Sequence, residues 1–300
     1  MRGEIYMKLS KLSIVGISLT LIGAILLGIF VLVGGVNSLP NSSFSFPSLF
    51  PTFAGKSNQR TIEFVDKTFS SIDIDTSLAG FQIMTGDVEY PTLTYTELIQ
   101  NDRVFYEVRT EINDATLKIT DYFAEQKFTK RIGNLNSNLY KDNILVLPRD
   151  FKLSNLDIAL DLGSLKVENI ELENMNLVLD MGNAEIDNLI ADYAEMKLDM
   201  GSVELSGGEI AGGKYTVSMG SMESSAKLTG EHIIDCDMGS IDLDIPLPES
   251  SVTYEIDVDM GNFNVNGDEV KLNNLKSDGD SIAHYIVNTS MGSVDFNFDK

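Results

Sequence analysis

Leu198-Asp199-Met200-Gly201-Ser202 decides the fold, because it recurs. Close variants sit at 160–164, 179–183, 217–221, 236–240, 258–262 and 289–293. Their glycines are Gly163, Gly182, Gly201, Gly220, Gly239, Gly261 and Gly292; the first four steps are 19 residues, the last two 22 and 31. A fixed period near 20 residues marks a stacked repeat architecture.

Aligned on the glycine, position −5 reads Ile158, Leu177, Met196, Tyr215, Ile234, Ile256, Val287. Position −3 reads Leu160, Leu179, Leu198, Val217, Cys236, Val258, Thr289, and −1 is Leu162 and then methionine: Met181, Met200, Met219, Met238, Met260, Met291. Between them, −2 is Asp or Ser. Such alternation predicts a strand with one buried face. After the glycine the phase jumps, with apolar residues at +2 (Leu165, Ala184, Val203) and +4 (Val167, Ile186, Leu205). A straight strand would send one arm to the wrong face. The chain must turn at Gly-Ser or Gly-Asn, where glycine supplies positive φ or close approach.

A meander reverses at each strand and would not repeat one corner per short unit. The pattern therefore predicts an all-β, β-helix-like solenoid of about 19-residue coils stacked about 4.8 Å apart. It places a methionine ladder inside, as plastic core filling rather than a metal or haem site, and an aspartate ladder outside. An earlier, degenerate coil is expected at 72–83: Ile74, Thr76 and Leu78 take −5, −3 and −1, Phe81 and Ile83 take +2 and +4, and Ala79 stands in the glycine slot.

The chain has 300 residues, with 22 Lys+Arg against 45 Asp+Glu. Residues 12–55 carry no charge, and 56–300 carry 19 basic and 44 acidic residues. That surface repels nucleic acid and anionic headgroups and attracts basic partners or divalent cations. Cys236 is the only cysteine, so no intrachain disulfide exists; it is expected to pack as a small apolar residue, with a reactive thiol or an intermolecular bridge as the alternative.

Residues 1–11 read as a cytoplasmic tail. Residues 12–36 form an apolar run whose helical length, about 37 Å, exceeds a hydrocarbon core of about 30 Å. Lys8 and Lys11 precede it and no positive charge follows until Lys56, which predicts an uncleaved transmembrane signal anchor with its N-terminus in the cytoplasm. A cleaved signal peptide is the alternative. Residues 37–60 are a Ser/Pro linker in which Phe44, Phe46, Phe50 and Phe53 either sit at the membrane interface or punctuate a spacer. Residues 61–150 hold irregular strand runs, expected to cap the stack; Lys127, Lys130, Arg131 and Lys141 read as a solvated basic loop. Residues 151–300 carry the regular coils, with the polar stretch 266–280 leaving the stack as a loop.

The glycine-cornered repeat, the Leu145-Val146-Leu147-Pro148 segment and the N-terminal membrane segment together resemble the bacterial putative-adhesin, β-strand-repeat family of unknown function, which includes LiaG-like envelope proteins. The resemblance covers roughly residues 60–300. It implies a solenoid on the outer side of a cytoplasmic membrane, and it brings no catalytic residues.

No zinc-binding His-Glu-x-x-His, phosphate loop or Gly-x-Ser-x-Gly occurs. The two histidines, His232 and His284, precede strands and read as surface or core-edge residues. The one candidate metal row is Asp161, Asp180 and Asp199, in successive coils, which could hold a divalent cation weakly or simply form a solvated face. A second acidic row stands at +3: Glu185, Glu204, Glu223, Asp242, Asp295. The expected function is non-enzymatic binding or adhesion at the cell envelope, to an envelope protein, surface protein or glycan and with no cofactor. An accessory or sensor role in envelope-stress signalling is the alternative, and a polysaccharide-active β-helix enzyme a third reading.

Overall fold

The computed structural model describes residues 56–77, 80–124, 143–270, 275–276 and 281–299. The tail, the anchor, most of the linker and the basic loop lie outside these residues. Regular structure among the described residues is strand, apart from one 3-10 turn at Glu249–Ser251.

Residues Leu153–Ile210 form one bent, near-continuous strand, here β8. It passes through three glycine corners, and each copy lies against the next in parallel. Asn174 donates to Asn155, Asn188 to Asn169 and Ser202 to Asn183, all 19 residues apart. Beyond β8, the strands β9 (Gly213–Val217), β10 (Ser221–Ser224) and β11 (Lys227–Leu228) pair with it in parallel. The next layer is β12 (Gly230–Cys236) and β13 (Ser240–Pro248), parallel to β9 and β10.

Chain order then departs from stacking order. The strands β14 (Val252–Val258) and β15 (Asn262–Val265) form no ladder with β12 and β13 among the described residues. The last strands, β18 (Ala283–Thr289) and β19 (Ser293–Asp299), slot between them: Ile233 pairs with Ile286, which pairs with Glu255. Ile241 pairs with Val294, which pairs with Phe263. The stretch expected to leave the stack as a loop instead contributes β16 (Asp268–Glu269) and β17 (Leu275–Lys276), which lie antiparallel along β15 and β14. They cover the open edge of the outermost layer, where unpaired backbone would invite association.

The other end is built the same way. The strands β2 (Ser71–Thr76) and β3 (Phe81–Gly86) lie in parallel against the first coil of β8. Ile74 faces Ile158, Thr76 faces Leu160, Phe81 faces Leu165 and Ile83 faces Val167. That is the register of the degenerate coil; its corner residues Leu78 and Ala79 lie outside the described residues. On its far side stack β6 (Thr116–Phe123) and β7 (Asn143–Pro148), again parallel. So the stack runs further toward the N-terminus than the period alone indicates. The strands β4 (Thr92–Gln100) and β5 (Arg103–Asn113) close this end antiparallel, and β1 (Lys56–Glu63) flanks β4.

Three inward blocks line each regular layer. In the first coil they are Leu156, Ile158 and Leu160, then Leu165 and Val167, then Ile170 and Leu172, all at most 5% exposed. Each such side chain contributes on the order of 1.5–3 kcal/mol by burial. The third block follows a second corner where Asn169, Asn188 and Gly207 stack at φ 56°, 55° and 63°. Only Gly, Asn and Asp visit that region at low cost.

A second expectation is overturned. The −1 methionines do not fill the core: Met219, Met238, Met291 and Met260 are 53%, 50%, 52% and 71% exposed. Met181 and Met200 are half-buried. The strand's inward phase ends at −3, and residues −2 to +1 all belong to the outward-facing corner. Alternation cannot be extended across a bend. His232 is corrected too: it is fully buried within β12, not at a surface or core edge.

Candidate binding surface

The glycine corner is a column of close backbone approach. A Cβ on Gly201 would stand 2.5 Å from the Gly182 carbonyl oxygen, one on Gly239 2.5 Å from that of Gly220, and one on Gly292 2.7 Å from that of Gly239. Gly201, Gly220, Gly239, Gly261 and Gly292 are absent from the positive-φ region, so proximity rather than handedness demands glycine there. Gly182, Gly201, Gly220, Gly239, Gly292 and Gly261 contact one another in that spatial order, and Gly163 lies under Gly182.

In-register layers turn each outward position into a column. The candidate row Asp161, Asp180 and Asp199 projects outward, with Asp161 and Asp180 exposed and Asp199 half-buried. Ser218 hydroxyl donates to Asp199 across one layer. Among the described residues no group of three or more His, Cys, Asp or Glu has the arrangement of a metal site.

The +3 row makes a more developed face. Backbone register sets Glu204, Glu223, Asp242 and Asp295 directly next to one another in successive layers. Alongside runs a +5 column, Glu168, Asp187, Ser206, Ser225 and Asp244, acidic at its two ends, which alternation in the sequence could have disclosed. Burial pushes the Asp242 carboxyl above its ordinary value, and the charges of Asp244, Asp295 and Glu223 add to this. Asn297 opposes it, donating to Asp242 at 2.9 Å and Asp244 at 3.1 Å. Asn264 donates to Asp295 at 2.6 Å. At the other end Lys166 lies 3.3 Å from Glu168 and 3.8 Å from both Glu185 and Asp187. These groups relieve the two ends of the face. Between them lies a shallow depression of about 160 Å³ bounded by Glu204, Ser206, Glu223, Ser225, Asp242 and Asp244.

A larger depression, about 370 Å³, opens on the third side, where Arg149 and Lys152 face Asn169, Asn188, Ile190 and Asp192. Arg149 is tied to Asp87 at 2.7 Å, which holds that carboxyl below its usual range through hydrogen bonding and charge.

The remaining polar chemistry is internal. His232 stacks between Tyr215 and Tyr285, at 5.8 and 5.5 Å between ring centroids. Its Nε2 lies 2.8 Å from the Thr229 carbonyl and its Nδ1 3.4 Å from the Tyr215 hydroxyl. Burial lowers its pKa to about 4, so the ring is neutral and core-forming. His284 is half-buried, with Nδ1 2.9 Å from the Thr253 hydroxyl. Cys236 is buried, and burial pushes its thiol up.

Solved structures similar to this chain include a putative adhesin from Bacteroides fragilis, 15% identical over 82% of this chain and 99% of that one, at a TM-score of 0.42. A putative cell adhesion protein from Clostridium sporogenes is 14% identical over 81% and 100%, at 0.34. A putative lipid binding protein from Parabacteroides distasonis is 18% identical over 83% and 99%, at 0.32. No curated protein matches the sequence. The sequence profile of one family matches residues 69–297, and by that match the chain belongs to the Toastrack DUF4097 family.

Proposed function

We propose that the protein is a membrane-anchored, extracytoplasmic β-solenoid that acts by binding, without enzymatic activity, as an adhesion-type component of the cell envelope. The observation that carries this reading is the in-register acidic face. Glu204, Glu223, Asp242 and Asp295 hold like charges in adjoining layers. Burial raises the Asp242 pKa and the neighbouring charges of Asp244, Asp295 and Glu223 add to the rise, so part of it is a standing electrostatic cost of the unbound face. A basic envelope partner laid along the columns relieves that cost and is steered to it by the charge of −25 on residues 56–300. The apolar, charge-free segment 12–36 with Lys8 and Lys11 before it supports the anchor and its orientation.

The test is in-cell cross-linking of the full chain, with partners identified by mass spectrometry. Neutral variants Glu204→Gln, Glu223→Gln and Asp242→Asn, which keep the shape of the face, are expected to lose the partner at least tenfold. Capture that is indifferent to them would overturn the reading. Exchanging residues 1–36 for an unrelated anchor separates binding from signalling: a binding role survives the exchange, whereas loss with the stack intact points to signalling through the membrane segment.

A further inference from the structure

The second outward column is chemically unlike the first. At the corner, the side chains preceding each glycine stack in the order Leu162, Met181, Met200, Met219, Met238, Met291, Met260. Their backbone is laddered: the Met219 amide donates to the Asp199 carbonyl, Met238 to Ser218, Met291 to Asp237 and Met260 to Ser290. The methionines are therefore rooted about 4.8 Å apart in consecutive layers. Elsewhere the chain uses methionine for packing, as at Met175, Met196 and Met222, each no more than 1% exposed. The corner column offers no such explanation. Four of its members are at least half exposed, and an exposed apolar ridge works against solubility. A serine or aspartate would serve the bend equally well, as the neighbouring −2 position shows with Asp199, Ser218, Asp237, Ser290 and Asp259.

What methionine supplies and those residues do not is a thioether sulfur. Thioethers are soft ligands that select Cu(I)-type ions over hard divalent cations. Each side chain has three rotatable bonds, so two or three sulfurs from adjoining layers can close on one ion. The net negative charge of the surrounding domain favours a cation there. We infer that the Met219–Met238–Met291 segment of this column is a binding site for a soft monovalent metal ion of the Cu(I)/Ag(I) class. The site is separate from the acidic face, and neither depends on the other.

The experiment uses the full chain in mild detergent, with 13C-methyl methionine and redox-inert Ag(I) as the probe; Cys236→Ala in all samples removes the single thiol. The methyl signals of Met219, Met238 and Met291 are expected to shift at stoichiometric Ag(I), while those of buried Met196 and Met222 stay in place. The triple variant Met219→Leu, Met238→Leu, Met291→Leu keeps the apolar ridge and removes only sulfur. It is expected to raise the Kd for Cu(I), measured anaerobically by competition with a chromophoric chelator, at least tenfold. Unmoved methyl signals, or an unchanged Kd in the leucine variant, would overturn the site. Should the triple variant misfold, Met238→Leu alone decides: the Met219 and Met291 shifts must weaken with it, and shifts that persist unchanged overturn the proposal.

Discussion

Replacing Gly201 by alanine is the most direct test of the stacked corner. The added Cβ would meet the Gly182 carbonyl oxygen at 2.5 Å, the Gly182 nitrogen at 3.2 Å and a Leu179 methyl at 3.1 Å. Ordinary contact begins at 3.4 Å, so the two layers must part by about an ångström. The obstacle is backbone, which has no rotamer to yield. The same glycine carbonyl is a ladder acceptor in other layers, as where Ser240 donates to Gly220 and Ser293 to Gly239, both at 3.0 Å. Stretching such a bond by an ångström ends it. Overpacking of a fixed site costs about 1–3 kcal/mol, and each lost hydrogen bond adds about 1 kcal/mol. We expect about 3 kcal/mol in total. At 2–4 °C per kcal/mol for a domain of roughly this size, Tm should fall by about 6–12 °C. Stacked repeats need not unfold in a two-state manner, so melting midpoints by circular dichroism are compared rather than extrapolated energies. Ser202→Ala, which loses one exposed hydrogen bond to Asn183, is the control and should change Tm by no more than about 3 °C. A Gly201→Ala midpoint within a degree of wild type would refute the account of why glycine stands in the column.

Two further outcomes are expected. His232 is neutral in the fold at a pKa of about 4 against an ordinary 6.5. Its stabilising contribution is complete above 6.5 and is lost as pH falls toward 4. Between pH 7 and pH 5 this amounts to about 2 kcal/mol. Urea unfolding across that range should show the fall in wild type and a shallower one in His232→Phe; equal slopes would remove the histidine as the cause. Arg60 reaches Glu97 Oε2 from Nε at 3.1 Å and Nη2 at 2.9 Å, and that carboxylate is only 8% exposed. Arg60→Ala should loosen β1 from β4 by about 1–2 kcal/mol. Amide exchange in 56–63 should then quicken roughly tenfold while β8 keeps its protection.

The period, the positions −5, −3, +2 and +4, and the register of the degenerate coil at 72–83 were legible in the sequence, because each rests on local alternation. The methionines misled for a physical reason. Apolar character states what a side chain tolerates, whereas orientation at a bend is set by backbone turning, and −1 lies on the bend. The third inward block was also written in the chain, as Ile170 and Leu172 or Leu189 and Ala191 following an Asn, but it drifts in later layers. The acidic +3 row could be read as a list; not all of its counterweights could. Lys166 stands at +3 of the first coil and could have been read with the row, whereas Asn264 and Asn297 meet Asp295, Asp242 and Asp244 only because β19 inserts between β13 and β15. His232 stands in the inward phase of Ile234 and Cys236, so alternation pointed to its burial; what no local stretch shows is that tyrosines from other layers enclose it.

The placement of β18 and β19 bears on how the molecule comes into being and how it fails. At this end synthesis delivers the interior pair of strands after the outer pair. Until residues 283–299 emerge, the earlier segments on either side have a missing neighbour and expose pairing edges to the wrong company. Once home, segment 283–299 is gripped on both flanks, so displacing it tears two ladders at once. Removing residues 283–299 would therefore take out a keystone rather than an overhang.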